Sequence, residues 1–210
     1  MKAQRLFLLG ATGGTGQHVV SQALEQGRRV TAFVRNPGKL TAGHERLLVV
    51  GWSSGDTAEQ MADQLRGHDA VISTLGVPAF KSGGLIERSA RLLVPAMERA
   101  GVRRLVFTSA FGVLETHELP FVPRTMQRLL LGEVYADKAA GETIIRSSRL
   151  DWTLVYPSML TTGPRTGSYR VGEQLELRGL PRLSRADLAD FLLTQVDDAT
   201  NVKKGVLVSY

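Results

Sequence analysis

The apolar run Leu6–Leu9 leads straight into Gly10-Ala-Thr-Gly-Gly-Thr-Gly16, and this junction constrains the chain more than any other feature. A short run of four apolar residues suits a strand buried on both faces. Val19, Val20, Ala23 and Leu24 then recur at helical spacing, and Gly27 ends that helix. The glycines fall as Gly-x-x-Gly-x-x-Gly. Gly10 allows the sharp turn out of the strand, Gly13 leaves space for a phosphate to approach the backbone, and Gly16 lets the helix pack on the strand. The free N–H groups and the positive end of the helix then face that space. A glycine triplet alone also occurs in ordinary turns. The strand before it and the helix after it point here to a dinucleotide-binding turn. No Gly-Lys-Ser/Thr follows, so the segment is not a P-loop.

The rest of the chain alternates in the same way. Strands are predicted at Arg29–Val34, Leu47–Val50, Ala70–Ser73, Arg104–Thr108, Trp152–Tyr156 and Val206–Ser209. Helices are predicted near Met61–Leu65, at Leu85–Ala100, over Tyr135–Arg146, and from the cap at Ser184–Asp187 to about Val196. Alternation of this kind implies an α/β fold: a Rossmann-like, doubly wound parallel sheet of order 3-2-1-4-5-6 plus a C-terminal strand, with helices on both faces. The stretch from about residue 157 to 183 is rich in Gly, Pro and Thr. It reads as a small substrate-side lobe of one domain covering residues 1–210.

An NAD-selective turn places an acid at the end of the second strand. Here that strand runs into Phe33-Val-Arg-Asn-Pro37, with Lys39 following. Arg35 and Lys39 therefore predict NADP(H), with Arg35 reading the 2′-phosphate.

Composition removes several alternatives. The chain of 210 residues has no cysteine, so thiolate chemistry is excluded, and its four histidines show no ligand spacing. The net charge is +6, but Lys and Arg are scattered and aromatic residues make up 6%, which argues against nucleic acid as a partner. No run approaches the roughly 20 apolar residues of a membrane span, and the first apolar run is too short for an export signal. A cytoplasmic location is expected. No extended apolar strip stands out, which suits a monomer.

These motifs, with Asp69-Ala-Val-Ile-Ser73 and Gly76, Thr108-Ser-Ala110, Leu150-Asp-Trp-Thr-Leu-Val-Tyr-Pro157, Thr166-Gly-Ser-Tyr169 and Ser184-Arg-Ala-Asp187, occur in a fixed order. Together they resemble the atypical short-chain dehydrogenases of the NAD(P)H-binding, NmrA-like group. Within it the chain most resembles the flavin reductase/biliverdin IXβ reductase type. The resemblance implies that Gly10, Thr12, Gly13, Gly14, Thr15 and Gly16 form the phosphate loop, and that Leu75 and Gly76 lie by the adenosine ribose. It also implies that Thr108, Ser109, Pro157 and Ser158 line the nicotinamide and that Lys138 holds its ribose.

The group's usual Tyr-x-x-x-Lys pair is absent. Tyr135 lies three residues before Lys138, and the expected tyrosine position holds Val134. Tyr135 stands as a candidate proton donor beside a plain packing role.

Two functions follow. One is an NADPH-dependent reductase delivering hydride to a small, flat acceptor such as FMN, another flavin, a quinone or a tetrapyrrole. Ser109, Lys138 and Tyr135 are its candidate catalytic residues, and Phe80, Phe111, Met159 and Leu160 are candidate apolar walls. The other is a non-enzymatic NADP(H)-binding redox sensor of the NmrA type.

Overall fold

The computed structural model describes residues 3–40, 43–53, 55–76, 83–111, 124–177 and 179–210. The N-terminal half follows the expected alternation: β1 (Arg5–Leu9), α1 (Gly14–Glu25), β2 (Arg29–Val34), β3 (Leu47–Gly51), α2 (Ala58–Leu65), β4 (Ala70–Ser73) and α3 (Leu85–Ala100). Then come β5 (Arg104–Thr108), α4 (Arg124–Ser147), β6 (Asp151–Pro157), β7 (Met159–Thr161), β8 (Arg170–Gly172), β9 (Arg182–Ser184), α5 (Arg185–Asp197) and β10 (Lys204–Ser209). A 3-10 turn at Pro37–Lys39 follows β2.

Among the described residues, eight strands form one sheet in the order β3-β2-β1-β4-β5-β6-β10-β8. The first six reproduce the expected order, and every pair among them is parallel. The order in which strands are added reverses beside β1, and there the crevice at the C-terminal strand ends opens.

Alternation along β1 divides the core. Phe7 and Leu9 point to the face covered by α2, α3 and α4, while Leu6 and Leu8 point to the face covered by α1 and α5. α1 packs on α5, and α3 packs between α2 and α4.

Two expectations need correction. The helix expected at Tyr135–Arg146 begins at Arg124, with Gly132 in its interior. One interior glycine costs about 1 kcal/mol, which the backbone hydrogen bonds of a long, docked helix outweigh. The segment at 157–183 is also not wholly a separate lobe. β8 joins the main sheet antiparallel to β10, while β7 and β9 form their own two-stranded parallel sheet.

Asp187 ties this segment down. Fully buried, its carboxylate accepts hydrogen bonds from Thr166 N (2.7 Å), Gly167 N (2.8 Å), Thr166 Oγ1 (2.8 Å) and Tyr210 Oη (2.6 Å). Its own N–H donates to the capping hydroxyl of Ser184. Two sequence motifs, Thr166–Tyr169 and Ser184–Asp187, thus meet at one carboxylate.

Burial works to raise the Asp187 pKa, but the bonds from Tyr210, Gly167 and Thr166 outweigh it and hold the group below its ordinary value of 3.8. A depressed carboxylate contributes stability above its unfolded value and loses it as pH falls through the folded one. Asp187→Ala should lower unfolding free energy by about 3 kcal/mol at neutral pH, because several buried donors lose their acceptor. In urea melts the parent should approach the variant below about pH 4. A constant gap down to pH 2 would refute the assignment.

Candidate functional site

The loop after β1 is closed by the bond from Gly13 N to Gly10 O (3.0 Å). Gly10 has φ +83°, and a Cβ there would lie 2.7 Å from the backbone of Thr74 after β4. Thr74 in turn donates its hydroxyl to the carbonyls of Leu9 (3.1 Å) and Gly10 (3.2 Å). The turns after β1 and β4 are therefore pressed together. α1 starts at Gly14 without a side-chain cap and without an acid in its first turn. Its first N–H groups are left for a ligand.

A cleft of about 330 Å³ opens from this loop towards β2. Thr12, Arg35, Lys39, Leu75 and Gly76 line it, and no acidic side chain is among the described residues that line it. Arg35 and Lys39 are exposed at its mouth. Asn36, Thr74, Trp52 and Leu85 also line it and were not singled out from sequence. Trp52 stacks on Phe33 with ring centroids 6.0 Å apart and planes 11° apart. Its position just beyond β3, at the same strand-end level as Arg35, was the available signal. Thr15 and Gly16 lie buried in the first turn of α1.

The other half of the edge lies at the ends of β5 and β6. Thr108 Oγ1 and Ser158 Oγ are buried and have no hydrogen-bond partner among the described residues. Buried hydroxyls seldom stay unpaired, so both suit the amide and hydroxyl groups of a ligand at this edge. The free loop N–H groups and these hydroxyls fit the two ends of a dinucleotide.

Ser109 is committed differently. Its hydroxyl donates to Glu142 Oε1 at 2.5 Å, and Tyr156 Oη donates to Glu142 Oε2 at 2.5 Å. Arg146 donates to Tyr156 Oη at 2.9 Å. Burial pushes the Tyr156 hydroxyl well up, and the Glu142 carboxylate adds to this.

α4 carries Lys138 and Glu142 inward because it is clamped on α3. The Asp137 carboxylate caps α3 by accepting from Ile86 N (3.1 Å) and Glu87 N (2.8 Å). A Cβ on Gly141 would come within 3.0 Å of Ile86. Two adjoining stripes of α4 are buried: Asp137, Gly141 and Ile145, and beside them Val134, Lys138 and Glu142. Tyr135 lies one residue round the helix, about 100° away, and is only half-buried, which raises its pKa.

The apolar walls expected from sequence are not brought together. Phe111 belongs to the core under α3, and Leu160 packs against the core on the opposite face. Met159 is exposed, and Phe80 lies outside the described residues. Short-range pattern shows that such residues are apolar, and only packing decides which face they fill. Among the described residues no helix is long and apolar enough to cross a membrane.

A family model described as NAD(P)H-binding matches residues 10–199. Bacillus subtilis YwnB is 25% identical over 203 residues, spanning 92% of both chains. The uncharacterized sugar epimerase YhfK of the same organism is 29% identical over 208 residues, spanning 92% of this chain and 88% of its own. Among solved structures, the oxidoreductase ylbE from Lactococcus lactis superposes with a TM-score of 0.81 at 22% identity, over 97% of this chain and 90% of that one. ChuY, an anaerobilin reductase from Escherichia coli O157:H7, superposes at 0.79 with 23% identity, over 97% and 96%. At such identities the superpositions show a shared fold.

Burial lowers the Lys138 pKa to about 8 from its ordinary 10.5, with Glu142 and then Asp137 opposing the shift. Between those two values the unfolded chain holds a proton that the folded chain has released. Stability therefore rises with pH across that window. Urea unfolding from pH 8 to 10.5 should show the parent gaining on Lys138→Met by up to about 1.4 kcal/mol per pH unit. Parallel pH profiles would show that Lys138 keeps an ordinary pKa.

Proposed function

Because the chain belongs to the NAD(P)H-binding family, we propose that it is an NADPH-dependent oxidoreductase whose acceptor is flat and conjugated: a flavin, a quinone or a linear tetrapyrrole. The observation that carries this reading is the inward stripe of α4. It buries Val134, Lys138 and Glu142, with no tyrosine among them, and Ser109 at the end of β5 has its proton committed to Glu142. A ketone needs an acid within about 3 Å of its oxygen as hydride arrives. A conjugated ring spreads the incoming charge and takes its proton later from water, so it requires stacking and orientation instead. ChuY, of the same fold, is an anaerobilin reductase, which agrees with a tetrapyrrole in this acceptor class.

The bound nicotinamide supplies the hydride. The protein's own work is to bind and orient. The glycine loop holds the pyrophosphate, and Arg35 with Lys39 holds the 2′-phosphate. Lys138 would hold the ribose hydroxyls, and the unpaired hydroxyls of Thr108 and Ser158, next to Pro157, would receive the amide. Glu142 keeps the hydroxyls of Ser109 and Tyr156 in one orientation.

Arg35→Ala should weaken NADPH ten- to hundredfold, from about 1.5–3 kcal/mol for a charge-assisted pair, and leave NADH nearly unchanged. Equal losses for both would remove Arg35 as the phosphate reader. An acceptor screen with NADPH, covering FMN, quinones, biliverdin and simple aldehydes, tests the reaction. Turnover of the conjugated acceptors, kept within a few-fold in Tyr135→Phe, is the expected result. A hundredfold fall in that variant would make a carbonyl reductase the better reading, as general acids contribute about that much. NADPH binding with no acceptor reduced would favour the redox sensor.

A further inference from the structure

The motif Ser184–Asp187 is only partly explained by architecture. Ser184 caps α5 and Asp187 gathers the Thr166 loop and Tyr210. Arg185 does neither. It is the first residue of α5, where a cation faces the positive end of its own helix and lowers helix stability. Among the described residues it has no hydrogen-bond or ion-pair partner.

What Arg185 does touch is the glycine loop. A Cβ on Gly14 would lie 2.9 Å from Arg185 Cδ, 3.0 Å from Nε and 4.0 Å from Cζ. Gly14 is not one of the three glycines of the Gly-x-x-Gly-x-x-Gly spacing. Its missing side chain makes room for the arginine stem. The guanidinium is thereby laid across the first turn of α1, which has free N–H groups and no acid of its own. The nearest acid in sequence, Asp187, is fully occupied by Thr166, Gly167 and Tyr210. An unpaired guanidinium and a helix N-terminus share one spot, and the anion that would balance them is missing from the described protein groups.

We propose that Arg185 clamps the dinucleotide's pyrophosphate at the glycine loop, beside the first turn of α1, and that Gly14 is glycine to admit it. This rests on the reading of the loop as a dinucleotide site, but not on any acceptor or reaction. The loop N–H groups and the planar guanidinium fork beside them bind the diphosphate together. Arg185 begins α5 directly after β9, so the clamp links the C-terminal segment to cofactor occupancy.

Calorimetric titration of the full chain with NADPH, NADH and adenosine 2′-phosphate tests the clamp. Arg185→Gln should weaken both dinucleotides by a similar ten- to hundredfold, because both carry the pyrophosphate, and leave adenosine 2′-phosphate unchanged. This pattern differs from Arg35→Ala, which acts on the 2′-phosphate alone. Arg185→Lys should recover part of the loss, since it keeps the charge without the fork. Gly14→Ala should cost about as much, by displacing the stem, and the double variant should be no worse than either single one. The melting temperature of Arg185→Gln should not fall, since a cation leaves the positive end of a helix. Dinucleotide affinities within twofold of the parent, an equal loss for adenosine 2′-phosphate, or additive effects of the two substitutions would each overturn the clamp. A parent that binds neither dinucleotide would overturn the dinucleotide site itself. A parent that binds both but reduces nothing would count against the oxidoreductase only.

Discussion

A methyl group cannot be placed on Gly16: its carbon would sit 2.1 Å from the carbonyl oxygen of Gly10 and 2.8 Å from the Cα of Ala11. That contact brings the first turn of α1 down onto the β1 turn. A Cβ on Gly10 would likewise lie 2.7 Å from the backbone of Thr74, in the turn after β4. Strand, loop, helix and neighbouring strand are thus locked at one point, the point where the sheet reverses its winding. The direction of α1, the free N–H groups at its start and the cleft running past Arg35 all depend on that closeness. Larger residues at Gly10 or Gly16 would meet backbone, which cannot swing aside.

The two halves of the site are built on different principles. The half beside β2 is open and basic, with Arg35 and Lys39 exposed at its mouth and Trp52 stacked on Phe33. Exposed cations of this kind act on a phosphate at little desolvation cost. The other half is buried, and the group around Glu142 is held by its mutual hydrogen bonds. Glu142 accepts from two hydroxyls, Arg146 supports one of them, and Lys138 lies one helical turn away on the same stripe. Removing one member of such a group leaves the others desolvated without a partner, so the group behaves as a unit.

The buried half in turn depends on how α4 meets α3. Asp137 supplies the acceptor that the glycine-started α3 lacks, and Gly141 lets the helices approach at Ile86. These two contacts set the rotation of α4. With Val134, Lys138 and Glu142 turned inward, Tyr135 is left on the flank. A one-residue offset in sequence becomes a change of environment because the helix cannot rotate without giving up the α3 cap.

What the sequence by itself determined was everything carried by short-range pattern. The order of the first six strands follows from apolar runs alternating with helical periods. The glycine turn follows from three glycines between such elements, and the expectation of NADP(H) rests on Arg35 standing where an acid would serve. Each is legible because the cause lies within a few residues of the effect. Tertiary structure alone decided the rest. Glu142 meets Ser109 across 33 residues, Asp187 meets Thr166 and Tyr210 across more than 20, and Arg185 crosses Gly14 from the far end of the chain. Phe111 and Leu160 read as apolar in either setting, and packing assigned them to opposite cores rather than to an acceptor wall. No local pattern distinguishes a buried carboxylate with two partners from a surface one, because burial and hydrogen bonding belong to the packed neighbourhood, which exists only once the sheet and its helices have closed.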